Sequence, residues 1–159
     1  METDFKKDNI KLFVFDFDGI FTDGKLTVYS DGKTSKIIDY KDIMAIANLI
    51  KANKTVVIIS GEKSSAIDLM KQNFPSIEVF QNIRNKLEIL EQMVKKYDLK
   101  SENVFYMGDD INDVKCLEYA KIPCTVKNAH KSILSIKNIY ITKNYGGNGA
   151  VREIVDLLL

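Results

Sequence analysis

Leu12-Phe13-Val14-Phe15-Asp16-Phe17-Asp18-Gly19 is an apolar run that stops abruptly in acids and a glycine. Four large apolar residues in succession, without polar alternation, describe a strand buried on both faces, read here over Leu12 to Phe17. Such a strand needs partners on both edges and helices over both faces. The chain supplies them. Thr55 to Ile59, Ile77 to Phe80, Val104 to Met107, Cys124 to Val126 and Tyr140 to Thr142 read as further strands. Between them, Asp42 to Asn53 repeats apolar residues at helical spacing (Ile43, Ile46, Ala47, Leu49, Ile50). Helices are also expected from about Ser64 to Gln72, Lys86 to Tyr97, Asn112 to Ala120 and onward from Ala150. Strand-helix alternation of this kind predicts a doubly wound, Rossmann-like parallel α/β sheet, one domain spanning 1–159. Leu26 to Tyr29 and Lys36 to Asp39 flank Ser30-Asp31-Gly32, which predicts a protruding β-hairpin with an Asp-Gly turn.

Composition narrows the function classes. The chain has 159 residues, 45% hydrophobic and 28% charged, ordinary for a globular domain that needs no staples. Lys plus Arg is 23 and Asp plus Glu is 22, a formal net charge of +1. That balance removes the electrostatic reason to expect a nucleic-acid or anionic-membrane partner. Cys116 and Cys124 lack metal-ligand spacing and read as free thiols of a reducing, cytoplasmic setting. Met1 to Ile10 is polar and holds no signal-peptide run, and no apolar stretch approaches the ~20 residues that span a bilayer.

In open α/β sheets ligands bind beyond the carboxyl ends of the strands. The residues just past those ends are Asp16, Asp18 and Gly19, then Ser60 and Gly61, then Gly108, Asp109, Asp110 and Asp113. Each group alone has a plainer explanation. Asp-x-Asp-Gly occurs in turns and in calcium loops, but an EF-hand loop lies between two helices and ends in a bidentate Glu. Asp109-Asp110 suits a helix N-cap. Lys86 at a helix start could be a solvated lysine. What the plainer explanations leave unaddressed is the convergence of three strand ends on one acidic rim.

These residues carry a resemblance. Asp16-Phe17-Asp18-Gly19 after a hydrophobic strand, Ser60 after the second, Lys86 before a helix, and Gly108-Asp109-Asp110-Ile111-Asn112-Asp113 resemble, in order and spacing, the four motifs of the haloacid dehalogenase superfamily. The closing Gly146-Gly147-Asn148-Gly149-Ala150-Val151-Arg152-Glu153 is similar to the tail of its phosphatases acting on 3-deoxy-manno-octulosonate 8-phosphate and on nonulosonate 9-phosphates. So are Gly24 to Asp42, Gln81 to Leu87 and Asn128-Ala129-His130.

The resemblance implies a magnesium-dependent phosphatase acting on a phosphorylated ulosonic acid. Asp16 is then the nucleophile that forms an aspartyl-phosphate, and Asp18 the acid/base that protonates the leaving oxygen and later activates water. Mg²⁺ is implied at Asp16, Asp109 and the carbonyl of Asp18. Ser60 and the Gly61 amide are implied to bind phosphoryl oxygens, with Lys86 neutralising the remaining charge. Asp110 and Asp113 are implied to orient Lys86 and the metal's waters.

Neither the gap from Asp16 to Ser60 nor that from Ser60 to Lys86 has room for a cap domain. The capless relatives are tetramers in which one subunit's hairpin covers its neighbour's site, which implies a homotetramer with Lys25 to Tyr40 as that hairpin; a bare surface hairpin on a monomer is the alternative. The tail is implied to fold over the site, its glycines allowing close backbone approach and Arg152 supplying a cation. Gly61 is followed by Glu62 where the octulosonate enzymes carry arginine. Glu62 is thus either a sugar contact of the nonulosonate kind or a first-turn helix acid. His130, the sole histidine, reads as a loop residue. Two other classes stay open: a catalytically silent oligomerisation domain associated with a sugar-acid cytidylyltransferase, and a regulator that traps phosphate without turnover.

Overall fold

A computed structural model describes residues 9–159; of the Met1 to Ile10 segment, all but the last two residues lie outside the described ones. Six strands form one parallel sheet in the order β5-β4-β1-β6-β7-β8: β1 (Leu12–Phe15), β4 (Thr55–Ile59), β5 (Glu78–Phe80), β6 (Val104–Met107), β7 (Ile122–Thr125) and β8 (Tyr140–Ile141). β1 lies at the centre, paired with β4 on one edge and β6 on the other, which is why all four of its residues are buried. Phe13, Phe15 and Phe105 pack ring on ring across β1 and β6, with centroids 5.2 and 5.5 Å apart.

The helices follow from the crossovers. α1 (Tyr40–Lys51) and α2 (Ser65–Asn73) lie in connections that run outward from β1 to β5. α3 (Lys86–Lys96) crosses back to β6, and α4 (Val114–Tyr119) continues to β7. Right-handed crossovers in opposite directions put these two sets on opposite faces of the sheet. α6 (Ala150–Leu158) returns to pack on α1, while α3 packs on α4. The reversal of strand order beside β1 is the topological switch point, where α/β sheets open a crevice for ligand.

Several boundaries differ from the sequence reading, each for a local reason. α1 starts at Tyr40 because the Asp39 carboxylate accepts the Lys41 N–H at 2.8 Å and caps it there. Its buried face includes Ala45 and Asp42, whereas Ile43, Ala47 and Ile50 are only half-buried. The stretch from Asn112 opens as a 3₁₀ turn, Ile111–Asp113, before α4. A short helix, α5 (Lys131–Leu134), was not expected; the His130 side chain caps it by accepting the Ser132 N–H. The hairpin exists, but its strands are β2 (Thr27–Val28) and β3 (Thr34–Ser35). The Tyr29 N–H bonds the Lys33 carbonyl at 2.9 Å, so the turn closes at Lys33 and sets Thr34 opposite Val28. Lys36 to Asp39 therefore leads into α1 and is no strand.

Candidate active site

β1 delivers Asp16 directly to the carboxyl edge, where its N–H bonds the Met107 carbonyl of β6 at 2.8 Å. Asp16 is thus fixed by the sheet itself. Lys86, the first residue of α3, is buried with it; its Nζ donates to Asp16 Oδ1 at 2.6 Å and to Asp113 Oδ1 at 2.8 Å. An unpaired ammonium there would cost several kcal/mol, and the two carboxylates remove that cost. Lys86 is thus no solvated helix lysine.

Asp113 is completely buried and saturated. Its Oδ1 accepts from Lys86 and from the Tyr106 hydroxyl at 2.7 Å. Its Oδ2 accepts the Asp109 and Asp110 N–H groups at 3.1 and 3.2 Å. Four donors fill the acceptor capacity of one carboxylate. Burial and the adjacent Asp113 push the Tyr106 hydroxyl far up, so it remains a donor. Gly108 provides the room: a Cβ there would lie 2.4 Å from Asp113 Cγ.

Carboxylate oxygens of Asp16, Asp109 and Asp113 all come within 4.8 Å of one another. Burial, then the neighbouring Asp113, pushes the Asp16 carboxyl well above its usual range, with Lys86 pulling it back only in part. Burial, with Asp113 and Asp110 beside it, pushes Asp109 up to about 7. Burial works against the charge on Lys86, but Asp16 and Asp113 together raise its ammonium. One lysine thus stands among more carboxylates than it can neutralise. With Asp113 spent on its four donors, Asp16 and Asp109 are the pair whose oxygens a hard divalent cation fits. Asp109 is pressed against Gly19, whose φ is +81° and where a Cβ would lie 2.0 Å from Asp109 Oδ2. Only glycine allows that approach.

Asp18 stands at the mouth, half-buried, with Thr22 Oγ1 donating to its Oδ1 at 3.4 Å. Its main partner is Lys36, just past β3, whose Nζ donates to Oδ1 at 2.6 Å and Oδ2 at 2.8 Å. Ser60, at the end of β4, is buried; its Oγ donates to the Glu62 carbonyl at 2.9 Å and accepts the Glu62 N–H at 3.2 Å. A cleft of about 250 Å³ joins Asp16, Asp18, Gly19, Ser60, Gly61 and Asp109. Glu62 is exposed and borders both this cleft and a second one of about 420 Å³ beside the hairpin.

Two expected residues sit differently. The Asp110 carboxylate is exposed and caps the 3₁₀ turn by accepting the Ile111 N–H at 2.7 Å, so of Asp110 and Asp113 it is Asp113 that meets Lys86. Arg152, expected to bring a cation to the site, does not line the cleft; its Nε pairs with Asp156 at 2.7 Å, one turn along α6. Helical spacing favours that local pair over a long reach. The glycine run does fold onto the loop after Asp18: the Gly147 N–H bonds the Ile20 carbonyl at 2.9 Å, and a Cβ on Gly146 would lie 1.6 Å from the Gly19 carbonyl oxygen. Tyr106, Lys36 and Thr22 were not singled out from sequence. Tyr106 alone left a trace there, as a hydroxyl inside an otherwise apolar strand just before Gly108.

A family model of haloacid dehalogenase-like hydrolases matches residues 21–154, and the chain belongs to that family. Within it, the chain is 32% identical over 154 residues to the 3-deoxy-D-manno-octulosonate 8-phosphate phosphatase of Salmonella typhi, covering 97% of this chain and 81% of the relative. The Moraxella catarrhalis enzyme of the same name, solved with a magnesium ion, a phosphate ion and a KDO molecule, superposes with a TM-score of 0.91. It is 31% identical, over 96% of this chain and 87% of that one. The cobalt-bound phosphatase of Haemophilus influenzae superposes with a TM-score of 0.87 at 25% identity, over 96% and 89%.

Proposed function

We propose that this protein is a magnesium-dependent phosphatase that hydrolyses a phosphorylated ulosonic acid of the 3-deoxy-D-manno-octulosonate 8-phosphate type. One observation carries the proposal: a buried carboxylate, Asp16, held by a fully buried lysine at the switch point, with the metal-suited Asp109 beside it. Relatives that share nearly the whole chain bear the name of that activity.

In this mechanism the Asp16 oxygen that Lys86 leaves free attacks phosphorus, and the ester oxygen departs with the proton of Asp18. Asp18 then takes a proton from water, which cleaves the aspartyl-phosphate. Ser60 and the Gly61 amide bind phosphoryl oxygens, the Ser60 hydroxyl turning from the Glu62 backbone to do so. Lys86 offsets the phosphoryl charge, and Asp113 with Tyr106 holds Lys86 in place. Asp16 and Asp109, with the Asp18 carbonyl, would hold Mg²⁺, which would supply charge neutralisation between carboxylate and phosphate.

The same proposal includes a cytoplasmic homotetramer built from one catalytic domain per chain. Leu26, Val28, Tyr29, Ile37 and Tyr40 expose half or more of their surface along one hairpin and the helix start after it, an apolar patch suited to a second copy of the chain. Cys116 and Cys124 are buried free thiols, and no helix among the described residues is long and apolar enough to cross a membrane. The test is phosphate release from 3-deoxy-D-manno-octulosonate 8-phosphate with and without magnesium. Stoichiometric release that stops with chelator supports the proposal; no release at any magnesium concentration ends it.

A further inference from the structure

The pair formed by Lys36 and Asp18 is unaccounted for in the chemistry above. The Lys36 ammonium spans both oxygens of Asp18, at 2.6 and 2.8 Å, and its side chain is only 14% exposed. Lys36 and Thr22 together take three of the four acceptor positions of the Asp18 carboxylate, so a departing ester oxygen that approaches Asp18 competes with Lys36 for a place beside it. An anion in the bound substrate draws the ammonium away.

The phosphoryl group has no need of it, because Lys86 already stands behind Asp16. Lys36 instead faces the cleft of about 420 Å³ lined by Asp18, Gly24, Lys25, Glu62, Lys63 and the hydroxyls of Thr34, Ser35, Ser64 and Ser65. Asp18 lines this cleft and Asp16 does not, so the cleft continues from the acid/base away from the nucleophile. Of its three lysines, Lys25 is 84% exposed and paired with Asp23, and Lys63 is exposed. Lys36 alone is largely shielded from water, so its charge is felt most strongly. Its flexible stem lets the ammonium move, and where it pairs with Asp18 it also lies over the Phe17 ring, 5.8 Å from the centroid.

We infer that Lys36 is a specificity-determining residue: its ammonium recognises a carboxylate on the leaving alcohol, and in leaving Asp18 for that carboxylate it frees an Asp18 oxygen to take a proton from solvent and hand it to the departing ester oxygen. An alcohol without an anion leaves the Lys36–Asp18 pair closed. Lys36 thereby couples the hairpin, which carries it, to the acid/base. The inference rests on the phosphatase reading and names the group in the substrate that this chain reads.

The test compares two substrates that differ in one group: an ulosonate phosphate and its counterpart in which the carboxylate is reduced to hydroxymethyl. Wild type is expected to favour the acid in kcat/KM. Lys36→Met should cut that preference by about tenfold or more, through KM for the acid, as expected for one charged hydrogen bond. Lys36→Arg should restore part of it. An equal fall for both substrates, or no preference in wild type, overturns the inference, since a merely structural lysine affects both alike. Magnesium-dependent hydrolysis of p-nitrophenyl phosphate by wild type separates the two proposals. If it occurs while the preference survives Lys36→Met, only the role of Lys36 falls; if wild type releases no phosphate from any of the three, both fall.

Discussion

The nucleophile's end of the site and the hairpin are opposites in construction. Asp16, Lys86, Asp113 and Tyr106 are buried, grow from β1, α3, the 3₁₀ turn and β6, and are joined by hydrogen bonds that leave Asp113 no spare acceptor. The hairpin is two residues per strand, pairs only with itself in the sheet topology, and exposes Leu26, Val28 and Tyr29. The difference separates two requirements. In-line attack on phosphorus tolerates little error in position, and a network pinned to the core provides that rigidity. Recognition of the leaving alcohol and of a second subunit needs surface, which the core cannot spare.

The sharpest way to break this contrast is at the nucleophile. Asp16→Asn should lower phosphate release by more than about 10³-fold, as for other covalent nucleophiles, while the circular dichroism spectrum stays unchanged. Appreciable residual turnover in a clean preparation would remove Asp16 from the chemistry.

Lys86→Met should cost both activity and fold. It strands two buried carboxylates, a loss of about 3–5 kcal/mol, or about 10 °C in Tm at this chain length. A variant as stable as wild type would mean that the rim is not held together by this pair.

Away from the rim, Asp42 ties α1 to α6. It is buried and accepts the Gly149 and Arg152 N–H groups at 3.1 and 2.8 Å, capping the helix that follows the glycine run. Asp42→Ala leaves those donors unpaired at a cost of about 2–3 kcal/mol. Burial pushes Asp42 up to about 6 from 3.8. The folded protein therefore favours its protonated form: that stabilisation is full below about pH 4 and is lost as pH rises through about 6. It amounts to about 3 kcal/mol at most. Denaturant titrations of wild type and Asp42→Asn should diverge across this window; parallel curves would deny Asp42 the raised value.

Replacing Thr27 to Ser35 by a short glycine-serine turn should change monomer stability by less than about 1 kcal/mol, because little of it is buried. The same change should abolish the proposed tetramer by light scattering and lower turnover. A fully active monomer would refute the role of the hairpin in covering a neighbour's site.

Glu62→Arg tests the smallest effect. Glu62 borders the cleft on the leaving-group side, so arginine should shift kcat/KM toward octulosonate 8-phosphate over nonulosonate 9-phosphates by roughly tenfold, the scale of one charged hydrogen bond. An unchanged ratio would leave Glu62 as an exposed acid in the turn before α2.

The sheet, the succession of strands and helices, and the strand-end residues Asp16, Asp18, Ser60 and Asp109 were legible in the sequence, whereas Lys86 was marked only by the family resemblance. Double-sided burial leaves unbroken apolar runs, and a parallel sheet makes whatever follows each run point to one rim. Tertiary structure decided the partners. Tyr106 and Asp113 are only 7 residues apart, but Lys36 meets Asp18 across 18 residues and Asp42 meets Gly149 across 107. Periodicity reports which face of an element is buried, not what is opposite it. It therefore gave no sign that Asp42, within α1, is buried against α6 as a helix cap. The resemblance of the tail implied a cation at the site from Arg152, which instead pairs with Asp156, one helical turn away. Short-range spacing fixes which elements form, whereas a buried charge finds its counter-charge only once the chain has closed around both.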